Sequence, residues 1–347
     1  VFNKLLGKFS KDLGIDLGTK NTLVYVNDKG VTISEPSVVA VNKRTDEILA
    51  IGEEAQKMVG KTPSHIEAIK PLVDGVISDF EVTEKMIKYF IDKVHSENFT
   101  LMPRPRVIVG IPMDITEVEK KAVEDAAKSA GARQVFLIEE SMAAAIGARL
   151  PVAEPTATMI VDIGGGTTEI SVISLGGVVA GKALRLAGNE IDCNIIEYIR
   201  EEFNILIGEQ VAESIKIRIG SVSPLKEPME MKVKGRDLLN GLPKAIVIND
   251  SQVREAINRT INQIIENIKI ILETTPPELV SDIYEHGIYL TGGGALLRGL
   301  DKEVAKATKI PVRIADDPLT CVVRGTGILL SDPELLEKVL SPGINDM

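Results

Sequence analysis

The 347-residue chain is 44% hydrophobic and 26% charged, without low-complexity tracts, so it has apolar material for about two globular lobes with separate cores. Aromatics make up 3%, Trp is absent and the net charge is −10, which argues against a base-stacking platform or a long basic stripe, and no nucleic-acid partner is expected. Cys193 and Cys321, with His65, His95 and His286, show neither zinc nor disulfide spacing, and neither an apolar run of ~18 residues nor a secretory signal is found, so the expectation is a soluble protein of a reducing cytoplasm.

In chain order, the opening "VFNKLLGKFSK" places Val1, Phe2, Leu5, Leu6 and Phe9 within roughly 140° of a helical wheel, with Lys4, Lys8 and Lys11 along one flank. An interfacial helix has this pattern, its apolar side entering the headgroup boundary and each lysine adding about 1 kcal/mol on anionic lipid. A terminal helix docked on its own domain has it too. "GIDLGTKNTLVYV", residues 14–26, runs from apolar residues through Asp-x-Gly and small or hydroxyl residues to Leu23, Val24 and Val26, and reads as a hairpin. Its Gly/Thr turn exposes a concave cluster of N–H and hydroxyl groups suited to a phosphate. Asp16 would repel phosphate, so its sensible role is to hold a hydrated divalent cation, since Mg²⁺ prefers one or two carboxylates and several waters. A single copy also fits an ordinary glycine turn.

Pro36, Pro63 and Pro71 punctuate the next stretch. In "ENFTLMPRPRV", Phe99, Leu101 and Met102 sit in an expected loop before the strand at 107–110, an apolar tip beside Arg104 and Arg106 that suits either lipid or burial. Glu139 and Glu140 then precede the small-residue helix "SMAAAIGA", where adjacent carboxylates can both be macrodipole partners. "VDIGGGTTEISVI", residues 161–173, repeats the first phrase, with Asp162 in the place of Asp16 and Ile170, Val172 and Ile173 returning the strand. Two copies suggest two related α/β lobes that each present a phosphate hairpin to one cleft, so that a single nucleotide clamps both. Glu213, Lys216 and Ile217 in "VAESIKIRIG" fit the face of an amphipathic helix, and Pro224, Pro228 and Pro243 punctuate this region. Residues 288–290 read as a buried strand ending in Thr291, Gly292, Gly293 and Gly294, with Ala295, Leu296 and Leu297 beginning a helix; such glycines let a flat ligand or phosphate approach the backbone.

Two phosphate hairpins followed by a Gly-rich turn resemble the superfamily of actin, sugar kinases and seventy-kilodalton heat-shock chaperones. "IDLGTKNTLVY", "EPSVVAV", "GKTPSHIEAIKPLVDGVISDF", "MAAAIGA", "VDIGGGTTEISVISLGG", "TPPELVSDI" and "LTGGGALLRGL" narrow the resemblance to bacterial actins of the MreB type, from about residue 12 to residue 330. The resemblance implies an α/β, two-lobed actin-like ATPase fold with duplicated ribonuclease H-like domains and two small inserted subdomains. Subdomain IA would comprise 1–32, 66–143 and 315–347, IB 33–65, IIA 144–180 and 245–314, and IIB 181–244.

It further implies ATP as ligand, GTP being an open alternative, with Mg²⁺ held near Asp16 and Asp162. Gly18, Thr19, Lys20 and Asn21 would line one phosphate loop, and Gly164, Gly165, Gly166 and Thr167 the other. Glu140 would activate the attacking water with Thr167 beside it, the remaining catalysis being positioning and electrostatics. Glu213, Lys216 and Gly292, Gly293, Gly294 and Ala295 would meet base and ribose. Three positions depart from the family's usual wording: Ser141 where Pro is usual, Lys20 where Ala is usual, reaching a phosphate or pointing to solvent, and Val73 where a basic residue is common. The implied function is an ATP-hydrolysing actin of head-to-tail, paired filaments, peripheral on the inner face of the cytoplasmic membrane, that organises cell-wall elongation proteins and maintains rod shape. Linked subunits would make weak lipid anchors strong. The rivals are a plasmid-partitioning actin, a chaperone-type ATPase, which would be expected to continue into a substrate-binding region, and a small-molecule kinase, for which no separate sugar-binding motif is seen.

Overall fold

The computed structural model describes residues 10–96 and 103–340. Val1, Phe2, Leu5, Leu6, Phe9, Phe99, Leu101 and Met102, the expected lipid contacts, lie outside the described residues.

β1 (Leu13–Leu17) and β2 (Asn21–Val26) form the first hairpin, with Leu13, Ile15, Val24 and Val26 fully buried, and β3 (Gly30–Pro36) extends it antiparallel. A small sheet of order β5-β4-β6 follows, from β4 (Val39–Asn42), β5 (Glu47–Ile51) and β6 (Ile66–Ile69), with the short helix α1 (Glu53–Gln56) against it. β7 (Leu72–Val73) and β8 (Val76–Ile77) pair across a turn in which Asp74 and Gly75 both take positive φ. Helix α2 (Phe80–His95) starts where Asp79 accepts the Val82 N–H, and buries Val82, Met86, Ile87, Phe90, Ile91 and Val94 as one stripe. β9 (Arg106–Ile111), α3 (Glu117–Ser129), opened by a Thr116/Glu119 capping box, and β10 (Gln134–Glu139) complete a sheet of order β10-β9-β1-β2-β3.

Helix α4 (Glu140–Gly147) leads to the second lobe, where β11 (Thr158–Ile163), β12 (Thr168–Ser174) and β13 (Gly177–Leu184) repeat the antiparallel meander. Helices α5 (Gly188–Phe203) and α6 (Glu209–Ile219) accompany a sheet of order β14-β15-β16, from β14 (Ile205–Leu206), β15 (Glu230–Asp237) and β16 (Pro243–Asn249). After α7 (Asp250–Thr274) and α8 (Pro277–His286), β17 (Ile288–Thr291), α9 (Leu300–Thr308) and β18 (Val312–Ile314) finish a sheet of order β13-β12-β11-β17-β18. The two large sheets match strand for strand: in each, a three-strand meander is joined through its first strand to two further parallel strands.

Two boundaries of each insertion differ from expectation because strand pairing carries through them. β3 stays in the large sheet to Pro36 while β6 joins the small one beyond residue 65; β13 stays in its large sheet to Leu184, and β16 runs to Asn249. The helix expected from Ala295 is a short 3₁₀ turn over Gly293–Leu296, and α9 begins only at Leu300, after Gly299 takes a left-handed conformation at φ 82°.

Between the lobes, α4 packs against α10 (Cys321–Ser331), which α11 (Pro333–Val339) follows. All eight residues of α4 are buried, and the shared core joins Ile108 and Ile138 of the first sheet to Ile160 and Ile173 of the second. The helices cross through glycine: a Cβ on Gly147 would lie 1.9 Å from the Cys321 carbonyl oxygen, and one on Gly325 would lie 1.8 Å from that of Ala143. Gly325→Ala should therefore lower unfolding stability by about 1–3 kcal/mol in a urea titration. Gly177→Ala, whose new methyl meets nothing within 4 Å, should leave the midpoint nearly unchanged; equal midpoints for the two variants would contradict the close crossing.

Candidate functional site

The β1–β2 and β11–β12 turns face each other across a cleft of about 470 Å³. They touch through glycine. A Cβ on Gly165 would lie 2.6 Å from Lys20 Cγ, and one on Gly166 would lie 2.6 Å from Thr19 Oγ1, so any larger residue would wedge the turns apart. The first turn is braced from outside: Ser37 Oγ donates to the Gly18 carbonyl at 2.6 Å, the Ser37 N–H donates to the Lys20 carbonyl, and the Gly75 N–H donates to Thr19 Oγ1 at 2.9 Å. The second is closed by the Gly164 N–H on the Thr167 carbonyl at 2.8 Å. Gly164 and Gly165 carbonyls in turn accept the Gly188 and Asn189 N–H groups that open α5.

Gly18, Thr19, Lys20 and Asn21 line one side of the cleft, and Gly164, Gly165, Gly166 and Thr167 the other. Glu213, Lys216, Gly292, Gly293 and Gly294 also line it. Ala295 does not reach the wall; its methyl is fully buried in the second lobe's core, because the 3₁₀ turn points it inward. Lys20 takes neither of its expected directions. Its ammonium crosses the cleft to Asp192 Oδ2 and Glu213 Oε1, each at 3.2 Å, while Lys216 holds Asp192 Oδ1 at 2.9 Å and the Gly188 carbonyl at 2.9 Å.

Glu140 lies on the cleft wall at 7% exposure, whereas Glu139 faces Lys120 and Asp114 on the other side of the strand end. Three further carboxylates crowd the same place. Burial pushes the Asp162 carboxyl up to about 6; burial, then the nearby Asp162 charge, pushes Asp16 up to about 7; burial pushes Glu169 up to about 8. Glu140 is held well above the usual carboxylate range by burial first, then by Glu169, Asp16 and Asp162. Asp162 Oδ1 is buried and accepts no hydrogen bond. An orphaned carboxylate oxygen beside a second carboxylate, under two rows of backbone N–H groups, fits a divalent cation that takes its other ligands from water and a phosphorylated ligand. Among the described residues no group of three or more His, Cys, Asp or Glu could hold a metal by itself, and no helix is long and apolar enough to cross a membrane.

Two residues of the site were not anticipated. Asp192 lies on α5 in the buried stripe with Ile195 and Ile199, so an acid at an apolar helical position was its signal. Glu169 sits in β12, where every residue is buried, and was the only charge in the run from 168 to 174.

A family model described as MreB/Mbl protein matches residues 10–338. The chain belongs to the MreB/Mbl family. It is 51% identical over 331 residues to the cell shape-determining protein MreB of Escherichia coli (strain K12), covering 94% of this chain and 95% of that protein. It is 47% identical over 330 residues to the cell shape-determining protein Mbl of Bacillus subtilis (strain 168), covering 95% and 98%. Among solved structures, MreB5 of Spiroplasma citri bound to ADP superposes with a TM-score of 0.88 at 38% identity over 93% of this chain and 96% of that one. The MamK double helical filament gives 0.79 at 25% identity over 93% and 99%. The duplicated sheets are thus those of the two-lobed actin-like fold common to the MreB proteins.

A carboxyl that ionises near 6 in the folded protein and near 4 in the unfolded chain takes up a proton on folding between those values. The stability this confers is complete below pH ~4 and is lost as pH rises through the folded value. Asp162→Asn removes that loss. Without ligand at about pH 8 the variant should be more stable than its parent by on the order of 1–3 kcal/mol, the difference vanishing as the pH falls towards ~4, in chemical unfolding at each pH; no gain at about pH 8 would show that Asp162 is not a destabilising buried charge.

Proposed function

We propose that this protein binds and hydrolyses ATP with Mg²⁺ and forms membrane-associated filaments that organise cell-wall elongation and maintain cell shape. One observation carries the reading: two Gly/Thr turns, from equivalent positions of duplicated sheets, meet in a single cleft over Asp16 and Asp162, the latter with a buried, unpartnered oxygen. The relatives support it, being named cell shape-determining proteins, and MreB5 of Spiroplasma citri has been crystallised with ADP and with AMPPNP.

In this reading the backbone N–H groups and hydroxyls of the two turns bind the phosphates, and Asp16 and Asp162 hold Mg²⁺ through water. When bound, Mg²⁺ supplies positive charge that neutralises the phosphates. Glu213 and Lys216 meet the ribose, and the Gly292–Gly294 turn admits the base against the backbone. Glu140 takes a proton from the attacking water, whose oxygen bonds the γ-phosphorus as the bond to the β-phosphate bridging oxygen breaks and ADP leaves. Thr167 holds the same water. Burial first, then Glu169, then Asp16 and Asp162 hold the Glu140 carboxyl well above its usual range, so a cation held by the two aspartates would relieve part of that bias. Lys20 ties the two lobes together beside the phosphates.

Filament growth is head to tail, an arrangement that does not close on itself, and the likeness to the MamK filament supports self-association. The segments 1–9 and 99–102 supply lipid contact on the inner face of the membrane, multiplied along the polymer. Two measurements test the reading. Glu140→Ala should bind ATP and ADP with nearly unchanged affinity and hydrolyse ATP ~10²-fold or more slowly; hydrolysis at the parent rate would remove Glu140 from the chemistry. Electron microscopy on an anionic lipid monolayer should show paired filaments lying flat with ATP and Mg²⁺ and none without nucleotide. Dispersed protein across salt and concentration would count against a cytoskeletal role.

A further inference from the structure

Glu169 is 1% exposed and has no part in the chemistry above. It stands in β12 two residues beyond Thr167 and opposite Asp162 in the strand register. Its two oxygens do not stay in their own lobe. Oε1 accepts the N–H of Met113, in the loop after β9, at 2.9 Å, and Oε2 accepts the N–H of Ser141, next to Glu140 in the first turn of α4, at 3.0 Å. That N–H has no partner within its helix, so Glu169 fixes a group the helix itself leaves free. The same loop is fastened in the opposite direction, since Asp114 Oδ2 accepts the Ala183 N–H of β13 at 2.9 Å. A Cβ on Gly181 would lie 2.7 Å from Met113 Cε, so loop and β13 are in contact. Ser141 Oγ and Ser171 Oγ are buried without hydrogen-bond partners.

We propose that Glu169 is a positioning residue that holds Glu140 in register with the second phosphate turn, by bridging that turn's strand to the start of α4 and to the loop at Met113. The proposal rests on the hydrolytic reading of the cleft. Only Thr168 separates Glu169 from Thr167, so a shift of the turn on contact with a γ-phosphate is passed through one buried carboxylate to the helix that carries Glu140. Ser141, where the family usually has Pro, supplies one of the two N–H groups; a proline there has none to give. The bridge to α4 is thus a property of this sequence.

The test uses the full chain with Glu169→Gln, which keeps shape but presents an amide NH₂ to one of the two N–H donors, and Glu169→Asp, which keeps the carboxyl and shortens reach. Glu169→Gln should bind ADP within about 2-fold of the parent yet hydrolyse ATP ~10- to 100-fold more slowly, a misplacement effect on turnover rather than affinity. Combined with Glu140→Ala it should add nothing to the loss caused by Glu140→Ala alone, because Glu169 acts through Glu140. Losses that multiply, or undiminished hydrolysis by Glu169→Gln, would overturn the proposal. Amide hydrogen exchange supplies a readout independent of turnover. In the parent, the amides of residues 113–114 and 140–142 should exchange more slowly with AMPPNP than with ADP, and in Glu169→Gln and Glu169→Asp that difference should disappear; its persistence would overturn the bridge. A parent that binds nucleotide and shows the exchange difference but does not hydrolyse would sink the hydrolytic reading while leaving the bridge standing.

Discussion

Four carboxylates share one water-poor corner of the cleft, and their burial, with repulsion added at Asp16, Glu140 and Glu169, is the constraint around which the site is arranged. Asp16, Asp162, Glu140 and Glu169 come from three different strands and one helix start, and each is driven up by burial. Such a cluster is tolerated when protons or a cation occupy it. The glycine turns follow from the same requirement, because only backbone N–H groups can stand beside that negative charge and still receive an anion, and only glycine lets the two turns approach to contact.

Lys20 and Lys216 show how positive charge is kept near this corner without entering it. Both ammonium groups are engaged by Asp192, with Glu213 joining Lys20, so both are tied to α5 and α6. Lys20 thus joins the β1–β2 turn to helices α5 and α6 of the opposite lobe. Closure of the cleft and occupation of its rim are parts of one electrostatic arrangement.

The two hairpin turns were legible in the sequence because their pattern is local: Asp-x-Gly and Gly/Thr runs between alternating apolar strands place donors and carboxylates whatever the rest of the chain does. The duplication was legible for the same reason, as a repeated phrase. The insertion edges were not, since whether residues 66–69 join one sheet or another is settled by pairing with a distant strand, and sequence spacing carries no record of it. Ala295 illustrates a finer limit. A Gly-rich run marks where the backbone comes close to a ligand, but which residue of the run faces the ligand depends on whether the turn is 3₁₀ or α-helical. Lys20 and Glu169 were hidden differently, for each finds its partners across the lobes, and only the assembled molecule brings residues 20 and 192, or 169 and 141, together.

The crossing of α4 and α10 has a mechanical meaning. Where helices interlock through large side chains, rotating one against the other requires ridges to leave their grooves. Gly147 and Gly325 remove the ridges at the crossing and set bare backbone against backbone. Such a joint fixes the spacing of the two helices by backbone contact rather than by side-chain size, within a core that runs through both lobes. A single added methyl at either glycine would therefore act as a shim, changing the gap between the helix backbones themselves.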